Sequence, residues 1–137
     1  RRPGRLETTL SFLEGSDEFR INPGEKMNLR LLLKNTGDTL WLSRILDLIG
    51  QTQLGAHVYR QERKGPALNF DWLRQELPHD INPGGEVILD VELPPLQEPG
   101  DYVVVLDMVS ERIAWFEEFC SKPLEFRLYV VKSHRSK

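Results

Sequence analysis

The chain has 137 residues, a single cysteine and a formal net charge of −3, with 39% hydrophobic and 28% charged residues. That is enough for one core but not two, and no apolar run approaches the roughly 20 residues a membrane-spanning helix needs. Residues 6 to 131 hold 12 basic and 21 acidic side chains, a balance of −9, and such a body repels phosphate backbones and argues against a nucleic-acid platform.

In chain order, "RRPGRLETTL" opens with basic residues but has no apolar segment behind them, so residues 1–5 read as the end of a linker and not as a signal peptide. "LETTLSFL" (6–13) alternates as a first strand. "KMNLRLLLK" (26–34) sets Met27, Leu29, Leu31 and Leu33 on one face, the period-2 mark of a half-buried strand. "NTGD" (35–38) is a turn, and "LWLS" (40–43) resumes an extended run. "LGAHVYRQ" (54–61) alternates Leu54, Ala56 and Val58 against Gly55, His57 and Tyr59. Residues 62–80 admit a short helix or an extended segment, and the extended reading is preferred. "EVILDVELP" (86–94) puts Val87, Leu89, Val91 and Leu93 together, and "DYVVVLDMV" (101–109) has the continuous apolar character of a strand covered on both faces. "LEFRLYVV" (124–131) alternates Leu124, Phe126, Leu128 and Val130, and residues 132–137 form a basic tail.

Pro-Gly pairs launch three of these strands. "INPGEKMNL" (21–29) and "INPGGEVIL" (81–89) echo each other, and "PLQEPGDY" (95–102) repeats the device. Proline fixes φ and the glycine supplies a positive one. About seven to nine short strands separated by such turns predict an all-β, immunoglobulin-like antiparallel sandwich filling residues 6–131 as one domain. One cysteine, Cys120, excludes an internal disulfide and fits a reducing, cytoplasmic setting.

Catalytic chemistry finds little support. Cys120 has no histidine at a spacing that implies a base, and His57, His79 and His134 are too scattered to ligate zinc. A carboxylate pair such as Asp107 with Glu111, or Glu111 with Glu117, would suit glycoside cleavage, yet acids at this density pair by chance. No metal or other cofactor is expected. Within "DMVSERIAWFEE" (107–118), Asp107–Val109 would close an interior strand, Ser110–Arg112 would turn, and "IAWFEEF" would start a return hairpin. Glu117 and Glu118 would then guard an edge strand. Trp41, Trp72 and Trp115, with Tyr59 and Phe116, each either stack on a ligand or complete the core.

The set "LKNTGDTLWL", "LGAHVY" and "ELPHDINPGGEVILDVELPPLQEPGDYVVVLDMVSERIAWFEEFCSKPLEFRLYV" resembles an immunoglobulin-like accessory domain of bacteria. Such domains are attached to glycosyltransferases, methyltransferases and related proteins of cell-envelope polysaccharide synthesis and export. The likeness spans residues 6–131. It departs at Arg112 and Cys120, where the pattern has glycine, which implies that two turns are reshaped there. The resemblance implies no catalytic residue.

Two functions follow as expectations. One is a non-catalytic module that recognises a polysaccharide or lipid-linked glycan, with Tyr59, Trp72 and Trp115 stacking on sugar rings and Asp107, Glu111 and Arg112 holding hydroxyls. The other is a structural or protein-interaction module that pairs with a parent enzyme domain or with itself. A carboxylate glycosidase stands third, because a small sandwich has little room for a deep pocket.

Overall fold

The computed structural model describes residues 5–13, 17–43, 51–60, 66–111, 113–119 and 121–132. These form nine strands: β1 (Thr8–Phe12), β2 (Glu18–Ile21), β3 (Met27–Asn35), β4 (Thr52–Arg60), β5 (Asn69–Glu76), β6 (Glu86–Leu93), β7 (Gly100–Ser110), β8 (Ala114–Trp115) and β9 (Leu124–Val130), with a 3-10 turn at Phe116–Phe119. They assemble into two sheets, β1-β3-β6 and β2-β9-β7-β4-β5, with β8 pairing on β7. All pairings between named strands are antiparallel except β2 with β9. The chain is an all-β, immunoglobulin-like sandwich without a disulfide, and residues 69–76 take the extended form.

The alternation read from the sequence is the alternation of burial. Leu29, Leu31 and Leu33 of β3, Val87 to Leu93 at every second position of β6, and Phe126, Leu128 and Val130 of β9 all face the core. Their neighbours face solvent. Burying an aliphatic side chain of this kind stabilises by about 1.5–3 kcal/mol, so the stripe of each strand fixes which face turns inward. β7 is covered on both faces, as its apolar run requires. So is β4, whose buried His57 and Tyr59 on the second face signal another layer above the sheet.

Turn chemistry fixes the connections. Gly24 and Gly84 have φ of 77° and 84°, the left-handed region that glycine enters without strain. Asn35 is fully buried. Its side chain donates to Thr39 O at 2.9 Å and Ile81 O at 3.0 Å and accepts from Gly37 N at 3.2 Å, so it ties the 35–39 turn to the second Pro-Gly segment. Trp41 is buried and packs edge-on against Phe116, 5.7 Å between ring centres. At the start of β7 the Tyr102 hydroxyl donates to Glu98 O at 2.7 Å, the tyrosine corner that recurs in immunoglobulin-like sandwiches.

At one side of the sandwich, Phe12 of β1 meets Phe19 of β2 and Phe126 of β9, with ring centres 5.8 and 5.6 Å apart. This trio sets the β1 edge of the small sheet over the β2–β9 edge of the large one. β2 itself has only four residues, "EFRI", too short for periodicity to reveal.

Candidate functional site

The second layer over β4 lies on the outer face of the large sheet. It is built from four side chains that chain order scatters. His57 points outward from β4. Trp115 of β8 pairs with Val109 of β7, which places its ring on the same outer face. Phe70 and Arg74 reach over from β5. The His57 ring stacks on Phe70 at 3.9 Å and 22°, and its centre lies 4.1 Å from that of the Trp115 ring, at a 51° tilt. Phe70 meets Trp115 edge-on at 5.4 Å.

Gly55 makes room for this layer. A β-carbon there would come within 2.6 Å of Trp115 Cη2 and 2.8 Å of Cζ3, so only glycine lets the indole lie down on the strand. The Arg74 guanidinium sits 4.6 Å from the Trp115 ring centre. It donates through Nε to Glu111 Oε2 at 2.7 Å and through Nη2 to Asp71 Oδ1 at 3.0 Å, so its charge is matched where it covers the ring.

A bulge in β5 accounts for the tilt of Phe70. Ala56 pairs with Leu73 and Val58 with Asn69, leaving extra residues on β5 and taking Phe70 O out of the ladder. That carbonyl contacts His57 Nδ1 at 2.6 Å. A carbonyl only accepts, so Nδ1 carries the proton. With His57 only 2% exposed and flanked by two rings, the imidazole is a packing element here and has no open path to a substrate.

The acids of 107–118 turn out to shape the backbone. Asp107 is fully buried. Its Oδ1 accepts from Met108 N at 2.9 Å and its Oδ2 from Glu117 N at 2.8 Å. Glu118 Oε2 accepts from Trp115 N at 3.1 Å. The bonds to Glu117 N and Trp115 N hold backbone amides at the start of the 3-10 turn. Glu117 and Glu118 therefore sit in that turn and not along an edge strand, a correction to the expectation from sequence. Ile113 N donates to Ser110 O at 2.9 Å, so the chain returns on itself after Ser110, where a turn over Ser110–Arg112 was expected.

Of the six side chains singled out from the sequence, Trp115 and Glu111 come together on the outer face. Tyr59 is on that face but buried beside Val103 and Val105. Trp72 packs, half-buried, against the main core on the other side of the sheet. Asp107 is buried as described, and Arg112 lies outside the described residues, as does Cys120. His57, Phe70 and Arg74 were not singled out. Gly55 between aliphatic strand residues was the one local sign of a close approach at this point.

Around the aromatic layer the surface is apolar in the middle and charged at the rim. Phe70 is 49% exposed and Ile113 58%. A shallow depression of about 250 Å³ lies beside Trp115, lined by Arg74, Ser110, Glu111, Ile113 and Glu118. Among the described residues no group of three His, Cys, Asp or Glu side chains is placed to hold a metal ion, and no helix is long and apolar enough to cross a membrane.

Solved structures share this architecture. The CARDB domain of a Pyrococcus furiosus protein, crystallised in complex with di-metal ions, is similar over 95% of this chain and 96% of its own, with a TM-score of 0.56 and 15% identity. A solution structure of that domain gives 0.53 and 14%, covering 95% and 97%. A β-glucosidase from Erythrobacter marinus aligns with 92% of this chain at a TM-score of 0.54 and 16% identity, but over 16% of its own length. At these identities the likeness concerns the fold. No protein-family model matches the chain, and no curated protein matches it in sequence.

Proposed function

We propose that the chain is a non-catalytic interaction module whose Phe70–Trp115 face docks a protein partner. The observation that carries this reading is the packing of Trp115. Gly55, His57, Phe70 and Arg74 of its own chain engage the indole, while Phe70 and Ile113 turn apolar surface to solvent inside a rim of Asp71, Arg74, Glu111 and Glu118. An apolar, aromatic centre within a polar rim is the anatomy of a protein interface. Sugar stacking calls for a ring face that is open, and Tyr59 and Trp72 do not offer theirs at this face.

The test is a pair of substitutions, Phe70→Asp and Ile113→Asp, in the parent protein. Ile113 is exposed and makes none of the layer's ring contacts, so the thermal midpoint of Ile113→Asp should hold within a few degrees, whereas Phe70→Asp also gives up the stack on His57 and should lower it further; in both the partner no longer co-purifies. Co-purification that survives both changes would end the proposal.

Glycan recognition is the second reading, favoured by the depression beside Trp115 with Glu111 and Ser110 on its wall. It fits a parent engaged in envelope-polysaccharide synthesis or export at the inner face of the membrane, the setting the sequence resemblance implies. Titration with envelope oligosaccharides, following the three indole N–H signals by NMR, separates the two. Saturable shifts at Trp115 would favour the glycan, and unmoved indoles at millimolar sugar would leave protein docking.

A further inference from the structure

The large sheet ends in β2 on one side and β5 on the other, and the sequence of β2 complements itself. Two hydrogen bonds fix the phase of its backbone. Arg127 N donates to Asp17 O and Val131 N to Ile21 O, so in the parallel β2–β9 ladder the odd residues of β2 bond towards β9. The N–H and C=O of Glu18 and Arg20 therefore point to the open edge, which pairs with no strand among the described residues. Side chains follow the same parity. Glu18 and Arg20 are exposed, whereas Phe19 and Ile21 are half-buried, with Phe19 completing the phenylalanine trio.

An antiparallel strand added here forms a regular ladder only if its own outward-bonding residues face Glu18 and Arg20. For a second copy of β2 related by a two-fold axis, that leaves the registers that set Glu18 opposite Glu18, Arg20 opposite Arg20, or Glu18 opposite Arg20. The first two place like charges directly opposite, which destabilises a sheet, and the last closes both outward pairs with opposite charge. It also brings Phe19 opposite Phe19 at the central, closely spaced position, where the uncovered flanks of the two rings meet. Arg20 is available for this role. Its guanidinium lies 5.2 Å from the Tyr129 ring centre and meets no carboxylate among the described residues. Glu18 stands beside Arg127 in the β2–β9 register, and the two oxygens of a carboxylate can serve a cation on either side. The β5 edge lacks this property, because Arg74 is already engaged by Asp71 and Glu111.

We infer that the chain associates with a second copy of itself through this edge, β2 against β2 in antiparallel alignment, with Glu18 of each copy paired to Arg20 of the other. The contact is isologous and joins the two large sheets edge to edge. A four-residue strand makes a small interface, so the association is weak and reversible. The Phe70–Trp115 face lies over β4 and β5, away from this edge, so the inference does not depend on the docking reading. A pair of copies carries two such faces, which raises the avidity of whatever they bind.

The experiment is sedimentation equilibrium of the whole chain from micromolar to millimolar concentration, with amide hydrogen exchange at both extremes. A reversible monomer–dimer equilibrium is expected. At the higher concentration the Glu18 and Arg20 amides should slow at least tenfold relative to those of Phe19 and Ile21. Arg20→Glu and Glu18→Arg, both exposed changes, should each weaken association at least tenfold. An equimolar mixture of the two variants restores opposite charge at both positions, and should associate within threefold of the unaltered chain. A monomer at millimolar concentration, a dimer indifferent to Arg20→Glu, a mixture no better than its components, or concentration-dependent protection that spares Glu18 and Arg20 would overturn the inference.

Discussion

Replacing Gly55 with alanine tests whether the aromatic layer is built on that glycine. The backbone there is ordinary strand, so alanine itself is not strained, and it should gain about 0.4–1 kcal/mol by restricting the unfolded chain. Against this stands the Trp115 ring, with Cη2 2.6 Å and Cζ3 2.8 Å from the new methyl. The indole must lift. It then gives up its contact with His57 at 4.1 Å and the Arg74 guanidinium at 4.6 Å, interactions of about 0.5–1.5 and 0.5–1 kcal/mol. The losses outweigh the gain by about 1 kcal/mol, or a fall of roughly 4 °C in Tm for a chain of this size. Urea denaturation followed by tryptophan fluorescence measures it, and Trp115 emission should shift to the red. A Trp115→Leu background isolates the cause. There the alanine should cost nothing, because the ring it displaces is gone. An equal cost in both backgrounds, or a stabilised Gly55→Ala protein with unchanged emission, would refute the reasoning.

Three further substitutions probe the frame. Asn35→Ala takes one partner each from Gly37 N, Thr39 O and Ile81 O; Gly37 N keeps Glu7 O and Ile81 O keeps Trp41 N, so the three lost bonds, at about 0.5–1.5 kcal/mol each, should lower stability by roughly 2–3 kcal/mol in chemical denaturation. Tyr102→Phe loses the 2.7 Å bond to Glu98 O and should cost about 1 kcal/mol, with the strand pattern in far-ultraviolet circular dichroism intact. Ser43 donates to Asp80 through its backbone N–H and its hydroxyl, and these bonds hold that carboxyl below its ordinary value of 3.8. A pKa lowered by folding adds stability that is complete above the unfolded value and lost as pH falls through the folded one. Asp80→Asn should therefore flatten the acid side of the stability profile below about pH 4 while changing its slope little near neutrality.

The fold was legible because β3, β6 and β9 each bury one face only, and a residue's parity then tells its side. The Pro-Gly turns were legible because only glycine suits φ near +80°, which Gly24 and Gly84 adopt. The candidate site was less so. His57 and Trp115 are 58 positions apart; the return hairpin that carries Trp115 was legible, but the β4–β7 register that brings it to His57 has no local signature. Phe70 joins them through a bulge that periodicity cannot show. Trp115 and Phe116 are adjacent, yet one lies on the outer sheet face and the other against Trp41 in the core, because the strand ends between them and a 3-10 turn begins. Asp107 was legible as an acid but not as the buried acceptor for Glu117 N, since nothing in "DMVSE" distinguishes a turn-shaping carboxylate from a surface one.

The most direct measurement of the central claim is photo-crosslinking in the source cell from a benzophenone side chain at position 113, beside Trp115, with the same probe at Thr9 on the far sheet as control. Docking through the Phe70–Trp115 face predicts one discrete protein adduct from position 113, lost in Phe70→Asp, and none from position 9. Equal adducts from both positions, or none from 113 together with saturable Trp115 shifts on adding envelope oligosaccharide, would contradict it.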